Sequence, residues 1–120
     1  LSSVAGNAVL MVPGRGPSQR ASIVSAKEGA RRVEVPLVGL DDYLARNSPA
    51  EPIRLIKCDV EGHEFEVLEG AVEVLRDHRP IVLFECEARH QEKRAVEDVF
   101  EHLKSRGYRG WFFDGDAPRD

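Results

Sequence analysis

The stretch Ile53-Arg54-Leu55-Ile56-Lys57-Cys58-Asp59-Val60-Glu61-Gly62 decides how the rest of the chain reads. It is a mostly apolar run about the length of a buried strand, and it stops abruptly at an acid and a glycine. Downstream, from His63 to Asp77, apolar residues fall at Phe65, Leu68, Ala71, Val72 and Leu75, the spacing of one helical face. The acids Glu64, Glu66, Glu69 and Glu73 are expected mostly on the outward side, with Gly70 kinking the helix. Arg79-Pro80 ends it, because proline disfavours the helical conformation in the residue before it. Ile81-Val82-Leu83-Phe84 reads as a second buried-type strand finishing at Glu85-Cys86-Glu87. Val96, Val99, Phe100 and Leu103 then mark another helix, and Gly107 sits where a left-handed C-terminal cap belongs. Trp111-Phe112-Phe113 supplies a last strand. Strand, helix, strand, helix, strand at these short spacings is the pattern of right-handed crossovers in an α/β sheet.

Working upstream, Leu40-Asp41-Asp42-Tyr43-Leu44 predicts a short helix with Asp41 as its capping acid, closed by Asn47-Ser48-Pro49. Ala8 to Val12 form an apolar strand that runs into the turn-rich Pro13-Gly14-Arg15-Gly16-Pro17. Residues Ala21 to Ala26 and Arg32 to Val38 supply further short strands, with Lys27-Glu28-Gly29 as a turn between them. The chain therefore divides into hairpin or insert strands over 1–38 and a βαβαβ half over 39–120.

With 120 residues, 42% of them hydrophobic, there is material for one modest core. Lys and Arg number 17 against 21 Asp and Glu, a net charge of -4, and no run of them forms a basic stripe. Nucleic acid and anionic membrane surfaces are therefore not expected partners. Cys58 and Cys86 each lie inside an apolar run, as buried free thiols of a reducing compartment do, and the cytoplasm is the expected location. No apolar stretch approaches the roughly 20 residues that span a bilayer. Leu1 is not an initiator methionine and Val4 to Pro13 already reads as structured chain, so residues are expected upstream of it.

Ligands of open α/β sheets collect outside the carboxyl ends of the strands, which makes Asp59, Glu61 and Glu85 the first candidates for chemistry. On neighbouring parallel strands such carboxylates lie about 5 Å apart and could share a proton, a hydroxyl or a divalent cation. Glycine after a strand also simply permits a tight turn, and an acid before a helix also simply caps it. Lys57, inside an apolar strand, is expected to pair with Asp59 or Glu85 or to reach the sheet edge. His63 could act as a base, although a lone histidine at a helix start is more often exposed or capping. Gly14-Arg15-Gly16 lacks the following amphipathic helix that a phosphate-binding glycine turn requires. His78, His90 and His102 are scattered on expected surfaces without metal-ligand spacing, and no serine-centred nucleophile elbow is present.

Four segments occur in order: Val35-Pro36-Leu37-Val38-Gly39-Leu40-Asp41-Asp42-Tyr43-Leu44, Ile56-Lys57-Cys58-Asp59-Val60-Glu61-Gly62-His63-Glu64, Val67-Leu68-Glu69-Gly70-Ala71 and Pro80-Ile81-Val82-Leu83-Phe84-Glu85. Together they resemble the FkbM methyltransferase family, over most of residues 1–113. The resemblance implies the C-terminal half of a Rossmann-like methyltransferase sheet that uses S-adenosylmethionine, most often to methylate a sugar or natural-product hydroxyl. It implies Asp59 and Glu61 at the end of the family's fourth strand and Glu85 at the end of its fifth, as catalytic acids, with Asp59 the base. Asp59 and Gly62 would contact the cofactor. The acid and Gly-rich turn that such domains use after their first strand are not found here, so the isolated chain is expected to bind the cofactor poorly and to be inactive. Two other readings stand beside this one: a non-catalytic module that binds a sugar or a protein, and a metal-dependent hydrolase built on Asp59, Glu61 and Glu85.

Overall fold

Which faces of Ile53–Val60 and Ile81–Phe84 are covered sets the architecture. The computed structural model describes residues 1–12, 31–60, 62–85, 96–114 and 117–119. The expected strand at Ala21 to Ala26, the turn at Lys27-Glu28-Gly29, the Gly14-Arg15-Gly16 loop, Glu61, Cys86, Glu87 and His90 lie outside them. Strand β3 (Leu55–Cys58) and strand β4 (Ile81–Phe84) pair in parallel, Leu55 opposite Ile81 through Cys58 opposite Phe84. Parallel neighbours need a crossover, and here it is made by α2 (Glu64–Glu69) and α3 (Val72–Asp77). The result is mixed α/β, as the sequence predicts.

One face of this pair carries Ile56, Cys58, Val82 and Phe84 and packs on the helices; the other does not match the expectation of strands buried on both sides. Leu55, Ile81 and Leu83 are 57%, 72% and 48% exposed. Side chains alternate across a strand, so a single covering layer of helices leaves every second residue bare. The core itself is Leu68, Ala71, Leu75, Val99 and Leu103, with Leu40, Phe65 and Tyr108 against it. Leu68 and Leu75 are fully enclosed, and each contributes about 2 kcal/mol by leaving water.

The single helix expected from His63 to Asp77 is two. Its apolar stripe survives, because Leu68, Ala71 and Leu75 keep their spacing through the break at Gly70 and Ala71. Glycine at the break has a steric reason: a Cβ on Gly70 would collide with the Ser2 carbonyl oxygen, so only glycine lets the N-terminal segment lie there. Ser2 is buried and donates its amide to the Val38 carbonyl at 2.9 Å. The interruption also frees the Gly70 carbonyl to accept the Asp41 amide at 2.9 Å.

Helix α1 (Leu40–Arg46) begins where expected, but Asp41 does not cap it. Gly39 precedes the helix without any side-chain cap, and Asp41 reaches across to α3, where its carboxylate accepts the amides of Glu73 at 2.8 Å and Val74 at 3.0 Å. These are orphan donors of a helix start, and a carboxylate is the favoured partner there.

Helix α4 (Val96–Lys104) closes the layer, burying Val99 and Leu103. It ends in a Schellman motif: the Gly107 amide bonds the Lys104 carbonyl at 2.8 Å and the Tyr108 amide the Leu103 carbonyl at 3.2 Å. Gly107 has φ +75°, as its position in the sequence predicts. Arg79, itself at φ +50°, donates to the carbonyls of Arg106 at 2.6 Å and Gly107 at 3.0 Å, and its guanidinium lies 4.5 Å from the Tyr108 ring centre.

The remaining strands pair locally. β1 (Gly6–Val12) and β2 (Arg31–Leu37) form an antiparallel ribbon with Ala8 opposite Val35 and Leu10 opposite Val33 on its half-buried side. On the other side Asn7 donates to Glu34 at 3.1 Å. The expected last strand is β5 (Phe112–Asp114), and its described partner is β6 (Ala117–Arg119) in an antiparallel hairpin, not β3 or β4.

Candidate active site

The carboxyl ends of β3 and β4 place the candidate acids side by side. Asp59 and Glu85 are the first residues beyond the paired Cys58 and Phe84, and the Glu85 amide donates to the Cys58 carbonyl at 3.2 Å, which carries the pairing one step past the strands. Adjacent parallel strands put these positions about 5 Å apart in backbone terms. Both residues are exposed at that edge. Lys57 Nζ approaches Asp59 Oδ2 at 3.4 Å, so the lysine both reaches the sheet surface and pairs there, an exposed contact of about 0–1 kcal/mol.

Beyond Asp59 the chain turns through Val60 and Gly62 into α2. Gly62 has φ +98°, a backbone conformation that glycine adopts without strain, which accounts for the glycine at the end of this strand. Glu61 lies outside the described residues. The residue that organises the turn is Glu64, expected on the outward side of its helix and found 1% exposed. Its carboxylate accepts the Gly62 amide through both oxygens at 3.1 Å and the Val60 amide at 3.4 Å. A glutamate two residues after a glycine at a helix start is a signal for such back-bonding that helical periodicity alone hides.

His63 stands at the entry to α2 with its side chain mostly covered. Its Nε2 lies 3.1 Å from Ser2 Oγ and its Nδ1 3.5 Å from a Glu66 carboxylate oxygen. The histidine thus joins the N-terminal segment to the first turn of α2, a contact between residues 61 positions apart that no spacing in the sequence announces.

The other two described histidines, His78 and His102, are not surface bystanders. His78 Nδ1 accepts the Ile53 amide at 2.9 Å and fixes the chain as it enters β3. His102 stacks edge-on to Phe65 with ring centres 5.2 Å apart, and its Nε2 is enclosed without a hydrogen-bond partner. Enclosure, followed by the Arg106 charge, pushes its pKa below the ordinary histidine value.

A cleft of about 450 Å³ opens between α1 and α3, lined by Leu44, Pro49, Glu51, Val74, Asp77 and His78. Residues 48–52 and 77–78 precede β3 and β4, so this cleft lies toward the amino ends of the strands, away from Asp59 and Glu85. Among the described residues no three His, Cys, Asp or Glu side chains converge so as to hold a metal ion, and no helix is long and apolar enough to cross a membrane.

The chemistry at the strand ends is rich in acceptors. Carboxylates at Asp59 and Glu85 suit hydroxyl groups and positive charge, while the described amides of the turn already have an anion in Glu64. No curated protein and no solved structure matches the chain. The family model of the methyltransferase FkbM domain matches residues 3–109, which includes every element from β1 to α4. A match over that span, on a scaffold that presents acids at parallel strand ends, places the chain in the FkbM methyltransferase family.

Proposed function

We propose that the domain transfers a methyl group from S-adenosylmethionine to a hydroxyl oxygen of a sugar or natural product, on a Rossmann-like sheet of which β3 and β4 are a part. The observation that carries this reading is the juxtaposition of Asp59 and Glu85 at the carboxyl edge of a parallel pair within an FkbM domain. That edge is where open α/β sheets take their ligands.

When bound, the cofactor supplies an electrophilic methyl. Asp59 orients the acceptor hydroxyl and takes its proton as the oxygen attacks, a role for which its exposed carboxylate is accessible. Glu85 sits beside it as a second acceptor that holds a neighbouring hydroxyl, and Glu61 is the third acid assigned to the reaction. Gly62 keeps the turn free of a side chain, so that the cofactor can approach the backbone beside Asp59. The acceptor is a small molecule or glycan, and the donor is shared by the family as a class.

The test is Asp59→Asn in the full-length parent protein, followed by S-adenosylhomocysteine release in the presence of hydroxylated acceptors. Loss of a positioned base typically costs 10²–10⁴-fold in rate, so turnover is expected to fall by about that factor with unchanged circular dichroism. Turnover near the wild-type level would remove Asp59 from the reaction.

A further inference from the structure

The turn that carries the candidate acids is wrapped around a carboxylate that belongs to the protein itself. Glu64 is nearly inaccessible, and its carboxylate accepts backbone amides of the turn: Gly62 N–H at 3.1 Å from both oxygens and Val60 N–H at 3.4 Å from one. A buried carboxylate is costly to leave unpaired, and hydrogen bonds to an ionised acceptor are about twice as strong as neutral ones. The Val60 amide directly follows Asp59 and the Gly62 amide lies three residues on, so whatever fixes them fixes the chain that presents Asp59.

We infer that Glu64 is a positioning residue: it acts as an internal anion that holds the turn in place and consumes the amides that an incoming anion would otherwise use. Two things follow. The acids of the turn are held by a neighbour that never touches substrate. The turn also recognises ligands through its side-chain acceptors, so it takes hydroxyl-bearing or cationic groups and not phosphates or carboxylates. Gly62 therefore offers a ligand its open α-carbon and not its N–H. This inference rests on the strand-end turn being the methyl-transfer site, and its test separates the two.

The experiment compares the wild-type chain, Glu64→Gln and Val67→Ala by amide-resolved hydrogen exchange and by titration with S-adenosylhomocysteine. Val67 is 3% exposed on the same helix and bonds no turn amide through its side chain, so Val67→Ala controls for general loss of stability. Removing the charge from Glu64 is expected to speed exchange at Val60 and Gly62 by roughly tenfold relative to Val67→Ala. It is also expected to weaken S-adenosylhomocysteine binding by several-fold where Val67→Ala does not. Equal exchange in the two variants, or faster exchange with unchanged affinity, overturns the positioning role. A third measurement needs no variant: inorganic phosphate added to the wild-type chain should leave the Val60 and Gly62 amide resonances in place. A saturable phosphate shift at those two amides overturns the inference even if Glu64→Gln fails to fold. The binding titrations use the full-length parent protein, and a wild type that takes up no S-adenosylhomocysteine there counts against the methyl-transfer reading alone, because the exchange and phosphate measurements still decide what Glu64 does.

Discussion

Arg79 is the residue at which two opposing effects can be weighed. Its φ of +50° lies in the left-handed region, which costs a side-chain-bearing residue on the order of 1 kcal/mol, and this is offset by two bonds to the Arg106 and Gly107 carbonyls and by the contact with Tyr108. Arg79→Ala keeps the backbone strain and loses the contacts, for an expected loss of about 1–3 kcal/mol by urea denaturation. Arg79→Gly loses the same contacts but relieves the strain, so it should be the milder change by several tenths of a kcal/mol. If glycine proved worse than alanine, the positive φ would not be a source of strain. Residue-scale reading of the sequence did well at Gly107, whose cap is local, and failed at Asp41 and Glu64. Both acids bond amides that helical periodicity does not locate: those of Asp41 lie 32 and 33 positions away, and those of Glu64 lie in a turn that periodicity does not describe.

Among the elements, the contact between α2 and α4 is the one most sensitive to pH. His102 lies in it beside Phe65, its neighbours in charge being Arg106 in the turn that follows α4 and Glu69 on α2, and its pKa is depressed chiefly by enclosure. A histidine with a folded pKa below its unfolded value binds protons more readily when unfolded. Its stabilising effect is therefore complete above the ordinary histidine pKa of about 6.5 and is lost as the pH falls from there through the depressed folded value. The denaturation midpoint should drop between pH 7.5 and 5.5, and His102→Phe should flatten that slope. An unchanged slope in the variant would place the pH sensitivity elsewhere.

The same elements mark how far the sequence could be read. The parallel strands, the position of α4 and the start of α1 were legible because each rests on a local hydrophobic period or a local turn signal. The interruption of α2 at Gly70 was legible from the glycine itself, whereas the Ser2 carbonyl packed against it was not. Nor was the pairing of β5 with β6, because a run such as Trp111-Phe112-Phe113 states that a strand forms without stating its neighbour. The strand-end positions of Asp59 and Glu85 were legible from the apolar runs before them, whereas the burial of Glu64 and the Ser2–His63 contact required the fold.

For the whole molecule, the dominant physical feature is the bare side of the β3–β4 pair. Parallel strands are ordinarily covered on both faces, and Leu55, Ile81 and Leu83 instead meet water, on a pair that among the described residues has no third strand. Such a surface drives association, so sedimentation velocity should reveal concentration-dependent oligomers of this chain. Ile81→Thr, at the most exposed of the three positions, should shift that equilibrium toward monomer while leaving the core untouched. A concentration-independent sedimentation coefficient in the wild-type chain would contradict the expectation.

The exchange of bonds between Asp41 and the helix break has a kinetic side. The Gly70 carbonyl holds the Asp41 amide, and the Asp41 carboxylate holds the starts of Glu73 and Val74, so α1 and α3 complete each other's first turns. Neither half of that exchange can close until the intervening β3 and α2 have brought the two segments together. The clasp therefore belongs to the late, downhill side of folding: it governs how long the native chain survives more than how quickly it is reached.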